Sequence, residues 1–236
     1  MKCKAAGIMI LVMFSVTRVD AQNLGLVVGI GGASSGMEDM KYYQEQLLSL
    51  WPVELGIISS FPPYTMASAG VLRQISPMFR IGVGYDYTST GARANYTDYS
   101  GRVSTDILAQ SHCLGIFASY AFLSGERYDL SVFGKVDLNM TLVDVTHSWY
   151  VLGFGDRGSF DYISFSPAGS AGLEFMFHLK GYSLGVGGRY LGDLKGDLRE
   201  RKNDRPLNDP NQSDRVLTTD WTGWRAQAKA VIWLER

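Results

Sequence analysis

The sequence predicts an all-β fold: one eight-stranded antiparallel transmembrane β-barrel with long external loops and a short helix in the first of them. Three observations predict it. The stretch from Tyr128 to Leu142 alternates throughout, with Tyr128, Leu130, Val132, Gly134, Val136, Leu138, Met140 and Leu142 in one set. Asp129, Ser131, Phe133, Lys135, Asp137, Asn139 and Thr141 form the other. A strand sends alternate side chains to opposite faces, so one face is apolar and the other largely polar. Alternation this long, with charges on one face, marks a barrel strand in a membrane. Segments of the same kind recur along the chain, and their connections alternate long and short. Aromatic residues also gather at two levels, one near each end of the strands.

Composition sets the bounds. The chain has 236 residues and a formal net charge of −1. It carries no basic balance of the kind nucleic-acid partners require, so none is expected. Mean hydropathy is −0.02, which does not argue against a barrel, whose lipid face is hidden in alternation. No segment is continuously apolar for the ~18 residues a membrane helix needs.

Residues 1–21 read as a secretory signal, leaving 22–236 as the barrel domain. Lys2 and Lys4 precede an apolar run from Ala5 to Val16, too short to span a bilayer comfortably. Val19-Asp20-Ala21 fits a small-x-small cleavage site. Cys3 would leave with the signal, so Cys113 remains alone and forms no intrachain disulfide. Export together with alternating strands places the chain in an outer membrane.

The strands follow in order. Leu24 to Gly32 sets Leu24, Leu26, Val28 and Ile30 outward, against Gly25, Gly29 and Gly31 inward. Inward glycine leaves room for large side chains from neighbouring strands. Met37 to Trp51 lacks Gly and Pro and reads as a helix, with Met40, Leu47, Leu48 and Trp51 on one side. Gly29 and Gly31 imitate the start of a dinucleotide-binding loop, but Ser34 stands where the third glycine belongs and no strand–helix repeats follow.

Tyr64 to Arg73 is the second strand, and Ser76-Pro77 turns the chain. Phe79 to Tyr87 points Arg80, Gly82, Gly84 and Asp86 inward. Thr88 to Arg102 reads as a polar loop. His112 to Phe122 is the fourth strand, and its pattern fails at Asp106 to Gln110, where a bulge or an exposed extension is expected. After the long Tyr128–Leu142 strand, Asp144 to Ile163 reads as a loop. Ala171 to Leu179 sets Gly172, Glu174 and His178 inward, and Tyr182 to Tyr190 sets Ser183, Gly185, Gly187 and Arg189 inward. Leu194 to Asp220 is long and charged. Trp224 to Leu234 closes the chain with Arg225, Gln227 and Lys229 inward. A ten-stranded count is the rival, because Val53 to Ser59 and His147 to Phe154 could each add a strand.

The aromatic levels test the register. Phe79, Tyr120, Phe122, Tyr128, Phe177, Tyr182 and Trp233 fall at the lower level. Tyr85, Tyr87, Trp149, Tyr162, Tyr190, Trp221 and Trp224 fall at the upper. Phe79 to Tyr87 spans about 20 Å at ~3.3 Å per residue and ~40° tilt, near the height of an apolar band.

With its signal segment, its alternating strands and its C-terminal Ile232-Trp233-Leu234, the chain resembles the small outer-membrane β-barrels of Gram-negative bacteria, the outer-membrane protein A, opacity and OmpX-like class. Phe61-Pro62-Pro63-Tyr64, Thr88 to Arg93 and Asp98-Tyr99-Ser100-Gly101 look like segments of uncharacterised Bacteroidetes outer-membrane barrels. The resemblance implies a fold and a location. It implies no known activity.

Arg80, Asp86, Lys135, Asp137, Glu174, Arg189, Arg225 and Lys229 are the candidate functional residues, all on the inner face. Buried charges must pair, and an eight-stranded barrel is narrow enough to be filled by side chains, so an interior polar network is expected. The expected role is structural or surface-interacting, carried by the external loops, with no wide pore. A narrow channel for small or hydrophobic solutes is one alternative, and a lipid-A-modifying enzyme is another. For the enzyme, His147-Ser148 lies near the outer rim with Asp144 and Asp156 close in sequence. Adjacent residues on a strand point to opposite faces, and the spacing departs from the His-x-Ser of the lipid A deacylases. His112 and His178 are isolated in sequence, so neither a catalytic residue nor a metal site is expected, nor any cofactor. The expected partners are outer-membrane lipid and lipopolysaccharide, with a surface partner reached through the loops, and the chain is expected to be a monomer. The helix is expected to cap the barrel mouth, the membrane interface being the other apolar surface open to it.

Overall fold

Eight strands pair edge to edge, each antiparallel to the next, and the last pairs with the first. The computed structural model describes residues 24–49, 51, 55–209 and 212–234. The expected signal segment lies outside them, as do Val53 and Glu54 of the extra strand considered above. The barrel strands are β1 (Leu24–Ala33), β2 (Tyr64–Gln74), β3 (Phe79–Thr97), β4 (Gly101–Ser124), β5 (Tyr128–Val151), β6 (Phe154–Leu179), β7 (Tyr182–Asp193) and β8 (Gly223–Leu234). The closing ladder runs from Leu24 opposite Leu234 to Ala33 opposite Arg225. Closure leaves no open edge around the ring.

Parity sorts the side chains as the sequence predicts. Along β5, Val136 is 72% and Leu138 57% exposed, while Lys135 is 4% and Asn139 0% exposed. Leu114, Ile116, Leu173, Val186, Val28 and Ile30 continue the outer apolar belt on other strands. So continuous an apolar surface is stable in hydrocarbon, where a closed barrel also satisfies its backbone polar groups. The inward glycines of β1 make the expected room. A Cβ on Gly25 would lie 2.7 Å from Val231 Cγ1 and 3.2 Å from the Trp233 ring.

Three stretches in which the alternation fails are ladder. Thr88 to Thr97 pairs with Ser111 to Arg102 without interruption, so Thr88–Arg102 is mostly two strands joined at Asp98–Ser100. Of the two readings of Asp106–Gln110 the extension holds and the bulge does not: the ladder is unbroken there, and the irregularity of β4 lies between Ala121 and Leu123. Asp144–Ile163 is the paired continuation of β5 and β6, joined by Leu152 and Gly153 at positive φ. The physical reason is common to all three. Beyond the membrane the outer face need not be apolar, so Arg93, Asn95, Ser104 and Asp106 stand where lipid-facing residues would. The inner face stays small or apolar at Ala92, Ala94, Val103, Ile107 and Ala109.

The ten-stranded rival fails for the same reason. His147 to Val151 belongs to β5, and the short strand Gly56–Ser60 pairs with the extension of β3 beyond the barrel.

The helix α1 (Glu38–Ser49) covers the end of the barrel that bears the long connections. Glu38 and Asp39 sit in its first turn, where the helix dipole favours acids. Met37, Met40 and Tyr43 are buried with Tyr64, Tyr162, Leu191, Leu198, Leu217 and Trp221. Tyr64 meets Trp221 edge to face at 5.4 Å. Leu47 packs on this cluster, while Leu48 and Trp51 pack on a neighbouring one around Leu55, Ala94 and Val103. Asp39 ties the helix to the last connection, accepting from Arg215 Nη2 at 2.5 Å, Thr218 N at 3.1 Å and Thr218 Oγ1 at 2.7 Å. The expected cap is therefore the arrangement seen. Burial, and then the neighbouring Tyr162, pushes the Tyr43 phenol well above its ordinary range.

The cap also corrects the aromatic levels. Trp221 is 0% and Tyr162 9% exposed, so both are core beneath the helix rather than girdle. Trp149 packs on the Leu55 cluster, and Trp233 faces inward at the other end. Tyr85, Tyr190 and Trp224 do stand on the outer wall above the belt, and Phe79, Tyr120, Phe122, Tyr128, Phe177 and Tyr182 below it.

Candidate functional site

All eight candidate residues lie inside the barrel, each between 2% and 9% exposed. They arrange in layers from the short-turn end to the cap.

The lowest layer joins Arg80 of β3 to Asp129 of β5 and His178 of β6. Arg80 Nη2 pairs with Asp129 Oδ2, and His178 Nε2 stands 2.7 Å from the same oxygen. His178 Nδ1 is 2.9 Å from Ser183 Oγ, and Trp233 Nε1 donates to that hydroxyl at 2.9 Å. Above it Val27, Leu72, Phe117, Phe133, Met176 and Val231 form an apolar plug across the lumen. Phe117 and Phe133 stack with centroids 5.6 Å apart. Lys229 Nζ pairs with Glu174 Oε2 at 2.5 Å and lies 5.7 Å from the centre of the Phe133 ring.

The middle layer centres on Asp86. Its Oδ2 accepts from Arg189 Nη2 at 2.6 Å and from Lys135 Nζ at 2.9 Å, with Arg225 Nη1 at 4.0 Å. Lys135 Nζ also meets Asp137 Oδ1 at 2.5 Å. None of the three Arg225 guanidinium nitrogens donates a hydrogen bond among the described residues, although the side chain is 1% exposed. Arg189 also lies over Phe133, 5.5 Å from its centre. Five cationic side chains, Arg80, Lys135, Arg189, Arg225 and Lys229, thus share the interior with Asp86, Asp129, Asp137, Glu174 and Asp193. Four of the five cations are held in ion pairs at 2.9 Å or less, while Arg225 only approaches Asp86 and Asp193 rests on hydrogen bonds from neutral donors.

The top layer carries the network to the cap. Ser111 Oγ donates to Asn139 Oδ1 at 2.6 Å. Asp193 Oδ2 accepts from Trp221 N at 3.1 Å, and Trp221 Nε1 donates to Thr141 Oγ1 at 2.9 Å. Nearby Lys195 holds Asp220 at 3.2 Å. Burial opposes ionisation of Asp220, but the Thr222 hydroxyl and backbone N–H and the Lys195 ammonium outweigh it and hold the carboxyl below its ordinary range.

Asp129, Asp193, Asn139 and Ser183 join the network without belonging to the expected set. Asp129 has the parity of Lys135 and Asp137, so the pattern already points it inward. Asp193 lies past the expected strand end at Tyr190, because β7 runs on to Asp193. His178 is isolated in sequence but not in space.

The network offers little chemistry. Asp129, His178 and Ser183 form an acid–imidazole–hydroxyl chain, the order of a nucleophile relay. Ser183 is 0% exposed beneath the short-turn end of the barrel, so no substrate carbonyl reaches its oxygen, which accepts from Trp233. At the rim, His147 stacks on Phe160 at 5.7 Å, while Ser148 turns to the other face and meets Ser104 Oγ at 2.8 Å. Cys113 is buried, its Sγ 3.3 Å from Ser111 Oγ. No group of three or more metal-ligating side chains gathers among the described residues.

No family model and no curated protein matches the sequence. Solved structures similar in chain path include Neisserial surface protein A, with a TM-score of 0.41, 13% identity, and 89% of this chain and 96% of that one covered. The attachment invasion locus protein Ail of Yersinia pestis gives 0.37, 11% identity, 89% and 98%. The outer membrane protease OmpT from Escherichia coli gives 0.28, 10% identity, 92% and 96%. At these identities no residue role passes from them to this chain.

Proposed function

We propose that the chain is a sealed outer-membrane β-barrel, exported by its 1–21 signal segment, whose role is structural or surface-interacting rather than conductive or enzymatic. One observation carries the reading. Three sets of interior contacts lie in series along the barrel, the Phe117–Phe133 cluster, the Asp86 ion-pair layer and the α1 cap, and they support a closed lumen. A solute would have to break buried ion pairs, each costly to separate. What remains for interaction is the surface: the outer wall against lipid and lipopolysaccharide, and the β3–β4 and β5–β6 extensions beyond the cap. Tyr99, Leu152 and Phe154 stand exposed at the tips of these extensions. Function grafted on a rigid scaffold is usually placed in such projections.

Planar-bilayer recording tests this. The wild-type barrel is expected to give no steady conductance, and so is Asp39→Ala, which loosens the cap but leaves the two lower seals. Porin-like conductance in the wild type would overturn the reading. Conductance appearing only in Asp39→Ala would make the chain a gated narrow channel instead.

A further inference from the structure

On the outer wall, β3 and β4 bring Tyr85, Tyr87, Gln110 and His112 together. Tyr87 lies directly opposite His112 in the ladder. Tyr85 Oη is 2.7 Å from His112 Nδ1. The imidazole stands 5.3 Å from the Tyr87 ring and 6.1 Å from the Tyr85 ring, centre to centre. Gln110 Nε2 donates to Tyr87 Oη at 2.9 Å. Below the cluster the wall is apolar at Leu114 and Ile116, both 51% exposed. Above it stands the exposed Arg93–Asp106 pair, at 2.5 Å. The cluster therefore marks the boundary between the apolar belt and the polar exterior.

The hydrogens can be placed. The Tyr85 hydroxyl has one partner among the described residues, the imidazole. Either arrangement leaves one hydrogen without an acceptor among the described residues, and it is less costly on His112, one step nearer the polar exterior, than on the Tyr85 phenol, whose residue sits opposite Leu114. Tyr85 therefore donates to Nδ1, and the ring proton sits on Nε2. Gln110 fills one acceptor position of Tyr87 and leaves its O–H free. Two donors, His112 Nε2–H and Tyr87 O–H, are carried on rings 5.3 Å apart and have no acceptor among the described residues.

We propose that these two donors bind a phosphoryl oxygen of a membrane-lipid headgroup. The proposal rests on the membrane reading of the barrel. Lipid covers this wall, and at the boundary its phosphates are the strongest acceptors within reach. The flanking Tyr85 and Gln110 lock both rings on a stiff sheet, so little ordering cost remains when lipid binds.

Native mass spectrometry from a phosphate-free maltoside detergent tests it, with dimyristoylphosphatidylglycerol as probe. The wild type is expected to retain one phospholipid about tenfold more tightly than the double variant His112→Phe with Tyr87→Phe, the effect of two hydrogen bonds of modest net strength. Equal retention by both would overturn the site. Equal wild-type retention of a phosphate-free diglucosyl diacylglycerol would overturn phosphate recognition. Should the variants fail to fold, ¹⁵N NMR of the wild-type imidazole replaces them: Nε2 is expected to shift on adding the phospholipid, and an unmoved signal rejects the proposal. Heat-modifiable gel mobility of the wild type reads the barrel separately. Its absence would sink the membrane reading, whereas a folded barrel that retains no lipid would sink the headgroup site alone.

Discussion

Asp86→Asn is expected to cost the barrel about 3–5 kcal/mol, the usual penalty for leaving a buried charge without its partner. The amide keeps the shape but removes the one charge that Arg189 and Lys135 both contact and Arg225 approaches. Asp137 cannot substitute for it. It already meets Lys135, and no ion pair joins it to either arginine among the described residues. The contrast is Arg225→Met. Arg225 is equally buried, yet its guanidinium donates no hydrogen bond among the described residues. Removing it relieves desolvation and lowers the cationic excess around Asp86, so a change within about 1 kcal/mol is expected, as for hydrophobic replacement of a poorly satisfied buried ion. Urea titration followed by heat-modifiable gel mobility measures both. Equal losses in the two variants would mean that Asp86 is not the centre of the layer.

Leu138→Arg is expected to have the other large effect. Leu138 is 57% exposed on the outer wall, in the middle of the apolar belt. A cation there costs about 2–4 kcal/mol at mid-membrane. Its neighbour behaves differently. Asn139 is 0% exposed and accepts from Ser111, so Asn139→Arg overfills the lumen and leaves the lipid face intact. Insertion into vesicles is expected to fall for Leu138→Arg. Asn139→Arg should insert and then unfold at lower urea than wild type. Wild-type insertion by Leu138→Arg would place β5 in the wrong register.

Within the membrane band the fold was legible because one rule governs it. Lipid outside and a narrow packed lumen inside leave each position of β5 one acceptable class, and period two follows. The rule stops at the membrane surface. Above Tyr87 and His112 the outer face is free to be polar, so Arg93, Asn95 and Asp106 erase the alternation although the backbone ladder continues to Thr97. Trp221 and Tyr162 fall in the core rather than the girdle for a related reason. An aromatic ring fits a girdle and a capped core equally well, and only the position of α1 separates them. In the interior, parity found the eight charged residues but not their pairing. That Asp86 of β3 meets Arg189 of β7 depends on the diameter of the ring. The Asp129–His178–Ser183 chain needs no closure: His178 faces Ser183 across the β6–β7 hairpin, and Asp129 lies on the adjacent β5, so parity and the short Lys180-Gly181 turn together could have found it.

The central claim is a closed barrel in lipid with its charges inside, and a spin-label scan along β5 from Val132 to Leu142 tests it most directly. Single labels in reconstituted membranes would be read for accessibility to lipid-dissolved oxygen. A sealed barrel predicts a period of two, with high accessibility at Val132, Val136 and Leu138, and low accessibility at Phe133, Lys135, Asp137 and Asn139. A flat profile, or high accessibility at the inward positions to a water-soluble relaxant, would contradict it.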